Sequence, residues 1–144
     1  MDTLEYAKEL LDKEGFTCVI TDGERCYTSR ERGVKPLLEL YSLHGEQGLS
    51  GCSAADKVVG KAAAMLYVLL GVSRIHARVM SVPAARTLEA NGIAFSCDTM
   101  TDAIINRAGN GYCPMETAVA DTDDPKTALI AVIDRLNELK SFEK

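Results

Sequence analysis

Residues 48 to 61 run Gly-Leu-Ser-Gly-Cys-Ser-Ala-Ala-Asp-Lys-Val-Val-Gly-Lys. Glycines ahead of a helix start suit an anion, because the free N–H groups of the first turn and the positive end of the helix dipole point the same way. A helix starting at Ser53, with Asp56 in its first turn, sets Lys57 and Lys61 four apart on one face. Two like charges there repel unless an anion sits between them, and Gly60 beside them lets a ligand approach the backbone. The stretch is expected to bind a phosphate or carboxylate through Ser53, Asp56, Lys57 and Lys61. The competing reading is a plainly capped helix with solvated lysines. It is not a Walker A loop, since Ala62 follows Gly60-Lys61 and Ala55 stands where the first glycine belongs.

Cys113-Pro114-Met115-Glu116 is the second stretch with chemistry in it. A thiol acts as a nucleophile or sulfur carrier once a cation or a helix N-terminus lowers its pKa. Pro114 fits a first helical turn and sets Cys113 at the N-cap; Arg107 is the candidate cation and Glu116 the candidate base. The plainer alternative is a buried cysteine in a turn with Glu116 as a surface or capping residue. Asn106-Arg107 adds a fork suited to a carboxylate or phosphate, against the alternative of a surface ion pair to Asp102. His44, His76 and the cysteines show no metal-ligand spacing, so neither a metal nor another cofactor is expected. His76 alternates with apolar neighbours and is expected to face solvent or a partner. Arg25, Arg30, Arg32 and Lys35 read as a solvated loop, with a ligand-facing loop as the alternative.

The elements that must hold these residues follow from capping and periodicity. Asp2 and Glu5 open a helix that Gly15 ends. A strand over 16–21, an Asp22-Gly23 turn and a strand over 25–29 make a hairpin. Pro36 starts a helix closed by His44-Gly45, and 45–51 is a glycine-rich loop. The central helix is expected from Ser53 to about Leu70, apolar all round in its second half and therefore buried. A strand over 74–81, a helix from Pro83 to Asn91-Gly92, a strand over 93–97 and a short helix over 101–107 come next. A last helix opens at Asp124-Pro125. Strand–helix–strand units imply parallel pairing beside the antiparallel hairpin, hence a three-layer α/β domain, α-β-α, around a mixed sheet.

The 144 residues suit one domain spanning 1–144, and 47% hydrophobic with 26% charged is ordinary globular composition. A formal charge of −5 with no basic stripe argues against extended nucleic acid, though a single nucleotide is compatible with it. Five cysteines without a Cys-x-x-Cys, and a charged, helix-like N-terminus in place of a signal peptide, lead us to expect reduced thiols in a cytoplasm. The run from Val58 to Leu70 is too short and too polar at its start to cross a bilayer, so no membrane partner is expected.

The element order resembles the cytidine-deaminase-like fold. Zinc deaminases of that fold begin the central helix with His-x-Glu or Cys-x-Glu and carry Pro-Cys-x-x-Cys at the next helix start. Here the expected helix opens Ser53-Ala54-Ala55-Asp56-Lys57, and Pro83 is followed by Ala84 and Thr87 in the cysteine places. The three ligands and the acid/base group that zinc needs to activate water are missing, which argues against deamination. A closer resemblance, over nearly the whole sequence, is to domain of unknown function 1893, which is placed in this fold. The matching stretches are 55–64, Ser81-x-Pro83, Ile105-Asn106-Arg107 and Cys113-Pro114-Met115-Glu116. That resemblance implies the fold and carries no activity.

The leading expectation is a protein that binds a small anionic or nucleotide-like molecule at the central helix start, through Ser53, Asp56, Lys57, Lys61, Asn106 and Arg107. A thiol enzyme or sulfur carrier using Cys113 and Glu116, and a non-catalytic interaction protein that forms a homo-oligomer, are the alternatives.

Overall fold

The computed structural model describes residues 2–106 and 108–143. The chain order is α1 (Thr3–Glu14), β1 (Cys18–Thr21), β2 (Cys26–Ser29), α2 (Lys35–His44), β3 (Ser53–Val59), α3 (Lys61–Leu70), β4 (Arg74–Ser81), α4 (Val82–Ala90), β5 (Ala94–Thr101), α5 (Pro114–Val119) and α6 (Pro125–Glu143). The five strands lie in the order β2-β1-β3-β4-β5. β1 is antiparallel to both β2 and β3, and β3, β4 and β5 are parallel.

Two apolar clusters divide along the sheet. Val19 and Ala55 pack with Ala7 and Leu11 of α1 on one face. Their chain neighbours Ile20 and Ala54 point the other way, into a larger core with α3 at its centre. Alternation along β1 and β3 therefore builds the expected three layers. α3 is buried nearly all round, as its apolar second half requires. Its end is fixed by Gly71 in the left-handed region, φ 84°.

Asp2 caps α1 by accepting from Leu4 N, and Gly15 ends it at φ 70°. The hairpin turn sits one residue later than expected: Asp22 N donates to Arg25 O across Gly23-Glu24.

Three expectations need correction. Ser53–Val59 is a strand, so the central helix begins at Lys61. Ser53 and Asp56 do not cap it, and Lys57 and Lys61 do not share a helix face. The cause is burial on both sides: β3 lies between α1 and α3, where small side chains suit the close approach of both layers, and tertiary packing overrides the helix preference of alanine. Residues 94–101 are all strand, because β5 follows β4 in register to Ser81↔Thr101, which leaves no helix at Thr101. His76 is buried, at 6% exposure, instead of facing solvent.

Candidate functional site

The N-terminus of α3 is already occupied by an anion from the same chain. Lys61 N donates to Oε1 of Glu116 at 2.6 Å and Ala62 N donates to Oε2 at 2.8 Å. Gly60 precedes them with ordinary extended backbone, φ −96° and ψ −177°, so left-handed geometry is not what calls for glycine here. A Cβ at that position would run into the Glu116 carboxylate. The expected helix start at Ser53 is thus replaced by one capped at Gly60, seven residues later, whose first-turn N–H groups are filled by Glu116 of α5.

Glu116 reaches it because Cys113-Pro114 starts α5 as the sequence implied. Cys113 is the N-cap and Pro114 the first residue, while Cys113 O accepts from Glu116 N at 3.0 Å. Both Glu116 oxygens are spent on α3, so its role is the cap, which was one of the alternatives. Cys113 itself is half-buried.

Lys61 leans away from its own helix start. Its Nζ donates to Ala120 O at 3.2 Å and lies 3.4 Å from Oδ1 of Asp123, whose side chain is fully exposed. That places Lys61 in the wall of a cleft of about 450 Å³ shared by α3, α4 and residues between α5 and α6. Arg86 and Thr87 of α4 line it with Met65 of α3 and Asn91. Arg86 is exposed and has no hydrogen-bond or ion-pair partner among the described residues. The cleft thus sets two cationic side chains from different helices around a space of small-molecule size.

The other expected site residues lie elsewhere. Ser53 is buried at the far end of β3, where its Oγ accepts from Arg74 Nε at 2.9 Å and meets Thr3 Oγ1 at 2.8 Å. Arg74 also pairs with Asp2, and Arg78 with Asp12, which ties α1 to the sheet. Lys57 is on β3 with its backbone N donating to Thr17 O. Asn106 clasps a loop: its N donates to Gly111 O at 2.8 Å and its side chain bonds Asn110. Arg107 lies outside the described residues.

The family described as Domain of unknown function (DUF1893) matches residues 6–136. The chain belongs to the DUF1893 family. A solved DUF1893 family protein from Thermotoga maritima is similar in structure, with a TM-score of 0.85 at 30% identity, covering 92% of this chain and 89% of that one. A search of curated proteins returned no similar sequence.

Two arrangements in this DUF1893 chain were not foreseen from sequence. Asp56, Tyr67 and Cys18 form a chain between β3, α3 and β1. Tyr67 Oη donates to Asp56 Oδ2 at 2.6 Å and lies 3.4 Å from Cys18 Sγ. Burial raises all three groups: Asp56 to about 7, opposed in part by its bonds from Tyr67 and the Val58 amide, with Cys18 and Tyr67 pushed above their ordinary values. The second is His76, whose Nδ1 lies 2.8 Å from Ser96 Oγ and Nε2 3.2 Å from Asp98 Oδ1. Arg30 of the basic loop bonds Glu14 O and stacks 4.4 Å over Phe16, and Lys35 pairs with Glu31. Among the described residues no three His, Cys, Asp or Glu side chains gather as metal ligands, and no helix is long and apolar enough to cross a membrane.

Proposed function

We propose that this protein binds a small anionic ligand, nucleotide-like in size, in the cleft between α3 and α4. The observation that carries the reading is the placement of Lys61 and Arg86 on its walls, with Arg86 lacking any described partner. Arginine's planar fork suits a phosphate or carboxylate, and Lys61 adds a second positive charge. An entering anion competes for Lys61, which is itself largely buried and also donates to Ala120 O, with Asp123, whose side chain is fully exposed. Thr87 and Asn91 supply polar edges, and Met65 and Pro83 an apolar wall against which a ring can lie.

We also read the fold as cytidine-deaminase-like. The strand order, with an antiparallel opening and three parallel strands that lead into α3 and α4, supports this. On that reading the two helix starts that carry zinc ligands in deaminases are Gly60-Lys61-Ala62-Ala63 and Val82-Pro83-Ala84-Ala85 here. Those side chains cannot hold a metal, so the function proposed is binding without zinc-assisted deamination. A thermal-shift series against inorganic phosphate, nucleoside monophosphates, sugar phosphates and dicarboxylates tests it. At least one anion should raise the melting temperature, and no shift with any of them removes the proposal.

A further inference from the structure

His76 lies on the face of the sheet opposite the α3–α4 cleft. Its chain neighbours Ile75 and Ala77 belong to the core around α3. Alternation turns His76 the other way, toward the side that α1 covers. Strand register places it in one row with Val19, Ala55 and Ser96. Val19 and Ala55 are buried with α1 and Ser96 is exposed, so the row runs from core to open surface. His76 itself is buried. Asp98 stands two residues after Ser96 on the same strand, exposed and on the same face. Arg74 and Arg78 flank His76 on this face of β4, and each is held by α1, through Asp2 and Asp12.

Both imidazole nitrogens have a partner, and the partners fix the proton. An ionised carboxylate only accepts, so Nε2 carries the hydrogen toward Asp98 Oδ1, 3.2 Å away. Nδ1 then holds the lone pair, and the Ser96 hydroxyl donates to it at 2.8 Å. Hydroxyl, imidazole and carboxylate bonded in that sequence are a nucleophile, its base and the group that orients the base. Serine proteases set the hydroxyl on Nε2 and the carboxylate on Nδ1; exchanging the two nitrogens leaves each role intact. We propose that Ser96 is a nucleophile, with His76 as its base and Asp98 as the positioning residue, in a second site that cleaves small esters. The Ser96 proton passes to Nδ1 as Oγ bonds the acyl carbon. The ester C–O bond breaks, and the leaving alcohol takes that proton. Water then attacks acyl-Ser96 through the same base, releasing the acid and restoring the hydroxyl. β5 ends the sheet, so every second N–H along it points away from β4. An outward N–H therefore belongs to Ser96 or to the residue beside it, where it can donate to the developing oxyanion. Ser96 stands on open surface, which suits a small acyl group with a good leaving group.

The test uses p-nitrophenyl acetate, read by release of p-nitrophenolate, and a fluorophosphonate probe. With the probe, Ser96 Oγ bonds phosphorus as fluoride leaves and His76 takes the proton. Peptide mass mapping should place the acetyl or phosphonyl group on Ser96. Urea-unfolded protein should not label, because Ser96 away from His76 is an ordinary hydroxyl. Ser96→Ala, at an exposed position, should keep the wild-type circular dichroism, lose the adduct and cut ester cleavage by about a hundredfold, the scale of general-base assistance. Asp98→Asn should slow both reactions by about tenfold with the adduct still on Ser96, less than the loss at a buried triad carboxylate because Asp98 is exposed. Asp98→Glu keeps the carboxylate and should restore the rate. No adduct on Ser96 in the native protein, cleavage that survives Ser96→Ala, or an Asp98→Asn rate equal to wild type overturns the proposal.

Discussion

Gly60 and Glu116 fit one another as a pair: a Cβ on Gly60 would stand 2.6 Å from Cδ of Glu116, so glycine is what admits the carboxylate to the first turn of α3. Glu116, 55 positions beyond Lys61, thereby caps a buried helix that has no side-chain cap of its own. Glu116→Ala leaves two helix N–H groups without their acceptor and should cost about 1–3 kcal/mol in urea unfolding. Glu116→Gln keeps one acceptor oxygen and should cost less. Gly60→Ala should destabilise in the same direction, because the carboxylate has to withdraw.

The Asp56 carboxyl, raised to about 7 in the folded chain, predicts a pH dependence of definite sign. Between its unfolded value near 4 and pH 7 the folded state holds more protons than the unfolded one, so stability falls as pH rises across that window. Below it the contribution is fully present. Asp56→Asn keeps an acceptor for Tyr67 Oη and should flatten this part of the profile. Thermal unfolding of both proteins from pH 4 to 8 measures it; an unchanged slope in the variant would assign the titration to another group.

Ser53 belongs to the Arg74–Thr3 network at the end of the strand remote from the cleft. Ser53→Ala should therefore lower stability by about 1 kcal/mol through a lost hydrogen bond and leave anion affinity unchanged. A loss of affinity without a loss of stability would return Ser53 to the binding site.

The thiols should separate by burial. Cys26 is exposed and should react with Ellman's reagent at once, while Cys18 and Cys52 are buried and should wait for unfolding. Burial also holds the Cys18 thiol in its unreactive protonated form. Rapid labelling of Cys18 in the native protein would show that β1 opens locally.

Much of the frame was legible because local signals carried it. Asp2, Gly15, Pro36, Pro83, Cys113-Pro114 and Asp124-Pro125 are cap and first-turn residues that act within a few positions of themselves. β3 was not legible. Ser-Ala-Ala-Asp-Lys lacks the alternation of a half-buried strand, since the strand is covered on both faces, and its small residues read as helix. β5 beyond Cys97 was missed because its extension comes from the register with β4. The candidate site was legible only in its parts. Lys61 and Glu116 were both singled out, but their meeting depends on where α5 crosses α3. Arg86 gave no signal at all, because a lone arginine on an amphipathic helix gains significance only when α3 lies beside it.

The central claim is that the cleft between α3 and α4 takes an anion through Arg86 and Lys61. Isothermal titration of an anion that raises the melting temperature, on wild type, Arg86→Ala and Lys57→Ala, tests it most directly. The account predicts a weakening of about tenfold or more for Arg86→Ala, the scale of one charged hydrogen bond, and unchanged binding for Lys57→Ala. Equal affinity of wild type and Arg86→Ala, with binding lost in Lys57→Ala, would contradict it.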